Sequence, residues 1–148
     1  MIQTENSTTV HQSVLLVDDN TTHQYSLGRH LEQFGLTVYH AHTGSEALEL
    51  MTLHHPDVVL LDINLPDMSG FDVCTQLRSS SETKTVPVIF HSATYDTQSA
   101  RGLANDLGAF SFLSYPIDID HLKVVLNGAF LRAKNGKQSR ASGATGSL

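Results

Sequence analysis

Residues 56–74, "PDVVLLDINLPDMSGFDVC", decide how this chain is read. "DVVLLD" (57–62) is a continuous apolar run closed by an acid. A short run without alternation describes a strand buried on both faces, the kind a parallel sheet uses. "LPDMSG" (65–70) carries proline and glycine and reads as a loop. "FDVCTQLRS" (71–79) follows as a helix with Phe71, Cys74 and Leu77 on its inner face. Asp62 therefore stands at the carboxyl end of a buried strand, where a loop opens.

The same unit repeats on either side. Upstream, "SVLLVD" (13–18) is a second buried run ending in acids. Leu27, Leu31 and Phe34 then recur at helical spacing, and Gly35 stops that helix. "LTVYHA" (36–41) alternates as a strand. "TGSEALELMTLHH" (43–55) is a helix opened by Thr43 with Glu46 three residues on, a possible capping pair, and closed by Pro56. Downstream, "VPVIFHSA" (86–93) is a strand with Pro87 at its start, where proline is tolerated. A helix over 97–107 ends at Gly108, and "FSFLSY" (110–115) is a short strand. "DIDHLKVVLNGAFLRA" (118–133) is the last helix, with Asp118 as its N-cap and Ile119, Leu122, Leu126 and Ala129 spaced for burial. Five strands alternating with five helices argue for an α/β fold, a doubly wound parallel sheet covered on both faces.

Composition sets the limits. A chain of 148 residues with 40% hydrophobic and 16% charged residues suits one soluble domain with one core. No apolar run approaches the roughly 18 residues that span a bilayer. The start, "MIQTENSTTVHQ", has neither the basic opening nor the apolar centre of a signal peptide. The single cysteine, Cys74, excludes an internal disulfide. The expected location is the cytoplasm. All 15 acidic residues lie at or before Asp120, whereas Arg132, Lys134, Lys137 and Arg140 are four of the nine basic ones. An acidic body is a poor nucleic-acid binder. The expected organisation is a disordered arm over 1–12, a domain over 13–131, and a flexible basic tail or linker over 132–148 rich in Gly, Ser and Ala.

In open parallel sheets ligands bind at the carboxyl ends of the strands. That rule brings Asp18, Asp19, Asp62, Ser92 and Tyr115 to one edge. Gathered carboxylates repel one another, and burial penalises each anion, so the cluster calls for a cation or a retained proton. Oxygen donors suit a hard ion, Mg²⁺ above all. The pattern points to Mg²⁺-assisted phosphoryl chemistry, with one Asp free as a nucleophile.

Five elements, "VLLVDDN" (14–20), "HTGSEALEL" (42–50), the stretch 56–74, "VPVIFHSA" (86–93) and "GAFSFLSYP" (108–116), occur in the order and spacing of a known family. The chain resembles the receiver domains of two-component response regulators over roughly 13–131. The resemblance implies the flavodoxin-like fold with strand order 2-1-3-4-5. It implies Asp62 as the phosphoacceptor, with Mg²⁺ held by Asp18, Asp19, Asp62 and the Asn64 carbonyl, one of the Asp18–Asp19 pair through water. It implies Ser92 as the hydroxyl that follows the phosphoryl group, small Ala93 leaving that group approachable, and Phe112 as the aromatic that turns inward. The implied donor is a phosphohistidine on a sensor histidine kinase or phosphotransfer protein. The implied partner or homodimer face is the fourth helix, fifth strand and fifth helix. Such a domain phosphorylates itself and is not a metabolic enzyme.

One position departs. The family has a lysine before the strand-five proline; this chain has Tyr115, and no lysine lies between Lys84 and Lys123. A charge-assisted hydrogen bond contributes about 1.5–3 kcal/mol against about 0.5–1.5 for a neutral one. A phenol in that place weakens phosphorylation or its coupling to the switch. The alternative is a phosphorylation-independent interaction module of the same fold. The family also implies a cis Tyr115–Pro116 bond, which the sequence leaves open.

Other strand-end chemistries fit less well. A haloacid-dehalogenase-type phosphatase wants a second Asp where Asn64 stands, as general acid. A flavin site wants a Ser/Thr/Gly-rich phosphate loop after strand one, where this chain has "DDNTTHQ". The nine histidines show no zinc spacing, and His91, alternating with Ser92, reads as packing on the opposite face. Cys74 reads as a buried helix residue.

Overall fold

The computed structural model describes residues 12–94 and 96–146. Five strands, β1 (Ser13–Val17), β2 (Thr37–Ala41), β3 (Val58–Asp62), β4 (Val88–Ser92) and β5 (Ser111–Ser114), alternate with five helices. These are α1 (Thr21–Gln33), α2 (Gly44–His54), α3 (Gly70–Arg78), α4 (Gln98–Asp106) and α5 (Ile119–Gly146). The strands form one sheet in the order β2-β1-β3-β4-β5. Every pairing is parallel. This is the expected flavodoxin-like fold.

The sheet divides the core in two. Leu15, Val17, Val59, Leu61 and Phe90 meet Ala47 and Met51 of α2, Val73 and Leu77 of α3, and Ala100 and Ala104 of α4. Val14, Leu16, Val58, Leu60 and Ile89 meet Leu27 and Leu31 of α1 and Leu122, Leu126 and Ala129 of α5. Strands β3 and β4 are buried at every residue, which explains the apolar runs Val58–Leu61 and Val88–Phe90. Truncating one such side chain, Leu60→Ala for example, costs about 2–5 kcal/mol through lost transfer energy and a cavity.

Caps set where the helices begin. Asn20 Oδ1 accepts from the His23 amide at 2.9 Å and starts α1. Thr43 Oγ1 accepts from the Glu46 amide at 3.0 Å. The Glu46 carboxylate reaches the His42 amide instead of the Thr43 amide, so the reciprocal half of the expected capping box is absent. Ser69 and Asp72 complete a full box at α3. Asp118 Oδ1 accepts from the amides of Asp120 and His121, the N-cap geometry expected of it.

The last helix departs from expectation. It was expected to end at Ala133, with a flexible tail beyond; α5 continues to Gly146. No proline intervenes after Ala133, and Ala, Lys, Arg and Gln tolerate helix well enough to carry it across glycines costing about 1 kcal/mol each. The arm expected over 1–12 lies outside the described residues, except for Gln12.

Candidate phosphorylation site

The carboxyl ends of β1 and β3 bring the acids together. Asp18, Asp19 and Asp62 each present a carboxylate oxygen within 4.8 Å of the others. Asp18 and Asp62 are buried and Asp19 is exposed. Gly70 keeps the β3–α3 loop tight: its amide donates to the Ile63 carbonyl at 2.7 Å. A Cβ at position 70 would press into the Asp62 carbonyl, its carbon only 3.0 Å away. Asp67 ties the same loop to α2 by accepting from the Gly44 and Ser45 amides at 2.8 and 2.9 Å. Those bonds hold its carboxyl below the usual range.

Electrostatics separate the acids. Burial, followed by the charge of Asp18, pushes the Asp62 carboxyl up to about 7. Asp18 has donors on both oxygens: the Asn20 amide reaches Oδ1 at 2.9 Å and His23 Nδ1 reaches Oδ2 at 3.0 Å. Asn64, exposed on the loop, donates its amide to Asp62 Oδ1 at 3.2 Å. Among the described residues, the cationic or potentially cationic groups paired with Asp18 are histidines, His23 and His91.

Ser92 ends β4, buried, with its Oγ accepting from the Thr94 amide at 3.1 Å. Ala93, beside it, is exposed. Tyr115 follows β5 at the same edge and points inward. Its hydroxyl lies 3.5 Å from Asp18 Oδ2 and 3.3 Å from His91 Nδ1. Its ring stacks on His23 with centroids 4.3 Å apart. Burial, then the charges of Asp18 and Asp62, raise its phenol, so it remains a neutral donor. The Tyr115–Pro116 bond is cis.

Phe112 lies away from the carboxylates, half-buried in β5, on the side facing α4. The Arg101 guanidinium covers its ring at 4.6 Å and pairs with Asp96 at 2.7 Å. Arg101 also reaches Ser114 Oγ at 3.0 Å, and Ser114 in turn binds Asp96.

His91 needs a correction. Alternation does turn it away from Ser92, but that face holds Asp18 and Tyr115. It is fully buried with Nδ1 against both groups. Burial lowers its imidazole to about 4, so it is neutral near pH 7. Sequence reasoning also missed Gln24 and His23. Gln24 is buried and donates to the carbonyls of Asp18 and Ala41 at 2.9 and 2.8 Å, tying the ends of β1 and β2. The cap at Asn20 was the available signal for His23: it places that residue in the first turn of α1, beside the acids.

A family model for the response regulator receiver domain matches residues 14–127, so the chain belongs to that family. It is 35% identical over 114 residues to protein PilH of Pseudomonas aeruginosa, covering 77% of this chain and 93% of that protein. It is 36% identical over 121 residues to response regulator MprA of Mycobacterium ulcerans, covering 82% of this chain and 51% of that protein. The match thus takes in nearly all of one relative and about half of the other. Among solved structures, the receiver domain of a LuxO repressor from Vibrio parahaemolyticus superposes with a TM-score of 0.79 at 29% identity, over 88% of this chain and 98% of that one. The receiver domain of the sensor histidine kinase PA1611 from Pseudomonas aeruginosa, solved with magnesium coordinated in its active site cleft, superposes with a TM-score of 0.75 at 25% identity. That match covers 82% of this chain and 98% of that one.

Proposed function

We propose that the chain is a phosphorelay receiver that takes a phosphoryl group onto Asp62. The observation that carries this reading is the convergence of Asp18, Asp19 and Asp62 within 4.8 Å. An all-oxygen set with two buried members, one of them pushed up to about 7, is short of positive charge. Mg²⁺ fits it: Asp18, Asp19, Asp62 and the Asn64 carbonyl would hold the ion, one of the Asp18–Asp19 pair through water. When bound, the ion offsets charge on the transferring phosphoryl oxygens.

The chain's own groups do the rest. Asp62, fixed at its β3 strand end, supplies the attacking carboxylate oxygen; the donor's phosphorus–nitrogen bond breaks as the phosphorus–oxygen bond forms, and the donor imidazole leaves with the electron pair. The exposed Asp19 and Ala93 leave one side open for that donor. Ser92 then turns its hydroxyl to the acyl phosphate, and Phe112 moves with it. The face formed by α4, β5 and α5 changes as a unit, a two-state equilibrium biased by the new contacts. This face is the proposed partner or homodimer surface. The donor is a sensor histidine kinase or phosphotransfer protein, the setting is the cytoplasm, and the domain turns over no metabolite. Among the described residues no helix is long and apolar enough to cross a membrane.

The Tyr115 contacts favour one second reading. A neutral phenol facing Asp18 supplies no charge to a phosphoryl group, as expected of a phosphorylation-independent interaction module. Beryllium fluoride with Mg²⁺, a phosphoryl mimic, separates the two by NMR. The receiver reading expects shifts at Asp62, Ser92 and Phe112; a spectrum unchanged at all three supports the module.

A further inference from the structure

One task at the β5 side of the site is orienting the Asp18 carboxylate, which Tyr115 and His23 both approach. The Tyr115 hydroxyl is badly placed for it alone, at 3.5 Å from Oδ2, and is shared with His91. His23 Nδ1 reaches the same oxygen at 3.0 Å. The imidazole is held in place from two sides. Its backbone amide is fixed by the Asn20 cap, and its ring lies on the Tyr115 ring, 22° from parallel. Tyr115 is itself seated on the fully buried His91. Packing from β5 and a helix cap thus converge on one hydrogen bond to one carboxylate oxygen.

We propose that His23 is a positioning residue for phosphoryl transfer, holding Asp18 through Nδ1–H while Tyr115 serves as the wall that holds His23. This rests on the receiver reading. The pair sets an imidazole donor and an aromatic support where the family has a single cationic side chain. The donor role requires a proton on Nδ1. His23 acts through Asp18, so its loss slows acylation of Asp62 without removing the nucleophile.

The test is the rate of Asp62 acylation by acetyl phosphate with Mg²⁺, followed by intact mass, across a small set of variants. Removing a hydrogen bond to a charged group corresponds to a roughly ten- to hundredfold slowing, expected for His23→Ala. His23→Asn, whose amide nitrogen falls near the Nδ1 position, recovers most of the rate. Tyr115→Phe keeps the stack and stays within a few-fold of wild type, whereas Tyr115→Ala slows like His23→Ala. Tyr115→Lys restores the His23→Ala protein and adds less to the wild type, the non-additivity expected of groups sharing one task. A wild type that does not acylate defeats the receiver reading. A wild type that acylates with His23→Ala unchanged overturns this inference alone. So does a slowed His23→Ala that neither His23→Asn nor Tyr115→Lys improves, since that is only a folding role. Nitrogen-15 NMR of the wild-type imidazole needs no variant to fold: a proton on Nδ1 of His23 is expected, and an Nδ1 that carries none overturns the proposal.

Discussion

Asp62 and Asp18 bring carboxylates from two neighbouring strand ends together, and their mutual repulsion adds to burial in raising Asp62 to about 7. Because the folded-state value lies above the ordinary 3.8, the folded protein retains a proton that the unfolded chain has lost. The sign follows: this stabilisation is complete below about pH 4, declines as pH rises toward 7, and is absent above it. A bound cation favours the ionised form, so Mg²⁺ should raise the melting temperature more at pH 8 than at pH 5.5. Calorimetry at the two pH values checks this, and Asp62→Asn should shrink the difference.

His91 has the opposite slope. Its imidazole is lowered to about 4 from 6.5 by burial, so its stability contribution is present above pH 6.5 and lost as pH falls toward 4. In the wild type Asp62 masks part of that loss. In Asp62→Asn the loss should emerge as a steeper fall in urea midpoint between pH 6.5 and 4.5.

Gly70 permits the close passage of the β3–α3 loop behind Asp62. Gly70→Ala should destabilise by about 1–3 kcal/mol, the usual cost of overpacking, because the blocking atoms are backbone and cannot swing away. Equilibrium denaturation measures it. Acylation of Asp62 should slow in the same variant, since its carbonyl must shift.

Much of this was legible in the sequence, for a physical reason. Strands buried on both faces carry continuous apolar runs, so β1, β3 and β4 stood out, and the acids at the carboxyl ends of β1 and β3 marked one edge of the sheet. The contacts of Gln24, His23 and His91 were not legible. Gln24 and His23 lie on a helix whose periodicity identifies its core face through Leu27 and Leu31, and polar residues there read as surface. His91 alternates correctly away from Ser92, but alternation cannot tell that the opposite face bends toward Asp18 at the strand end. These are hydrogen bonds spanning 5 to 24 positions between different elements, outside any local pattern.

Arg101 covers Phe112 while paired to Asp96, so it restrains the proposed switch aromatic. The cation–π contact contributes about 0.5–1 kcal/mol at an exposed site. Arg101→Ala should speed amide exchange in β5 by a few-fold and leave the urea midpoint nearly unchanged. Hydrogen–deuterium exchange reads this directly.

The central claim is that Asp62 accepts a phosphoryl group despite Tyr115. Intact-mass measurement after incubation with acetyl phosphate and Mg²⁺ tests it most directly. One phosphoryl increment on the wild type, absent without Mg²⁺ and absent in Asp62→Asn, is the predicted result. No increment on the wild type, or an equal one on Asp62→Asn, would contradict it.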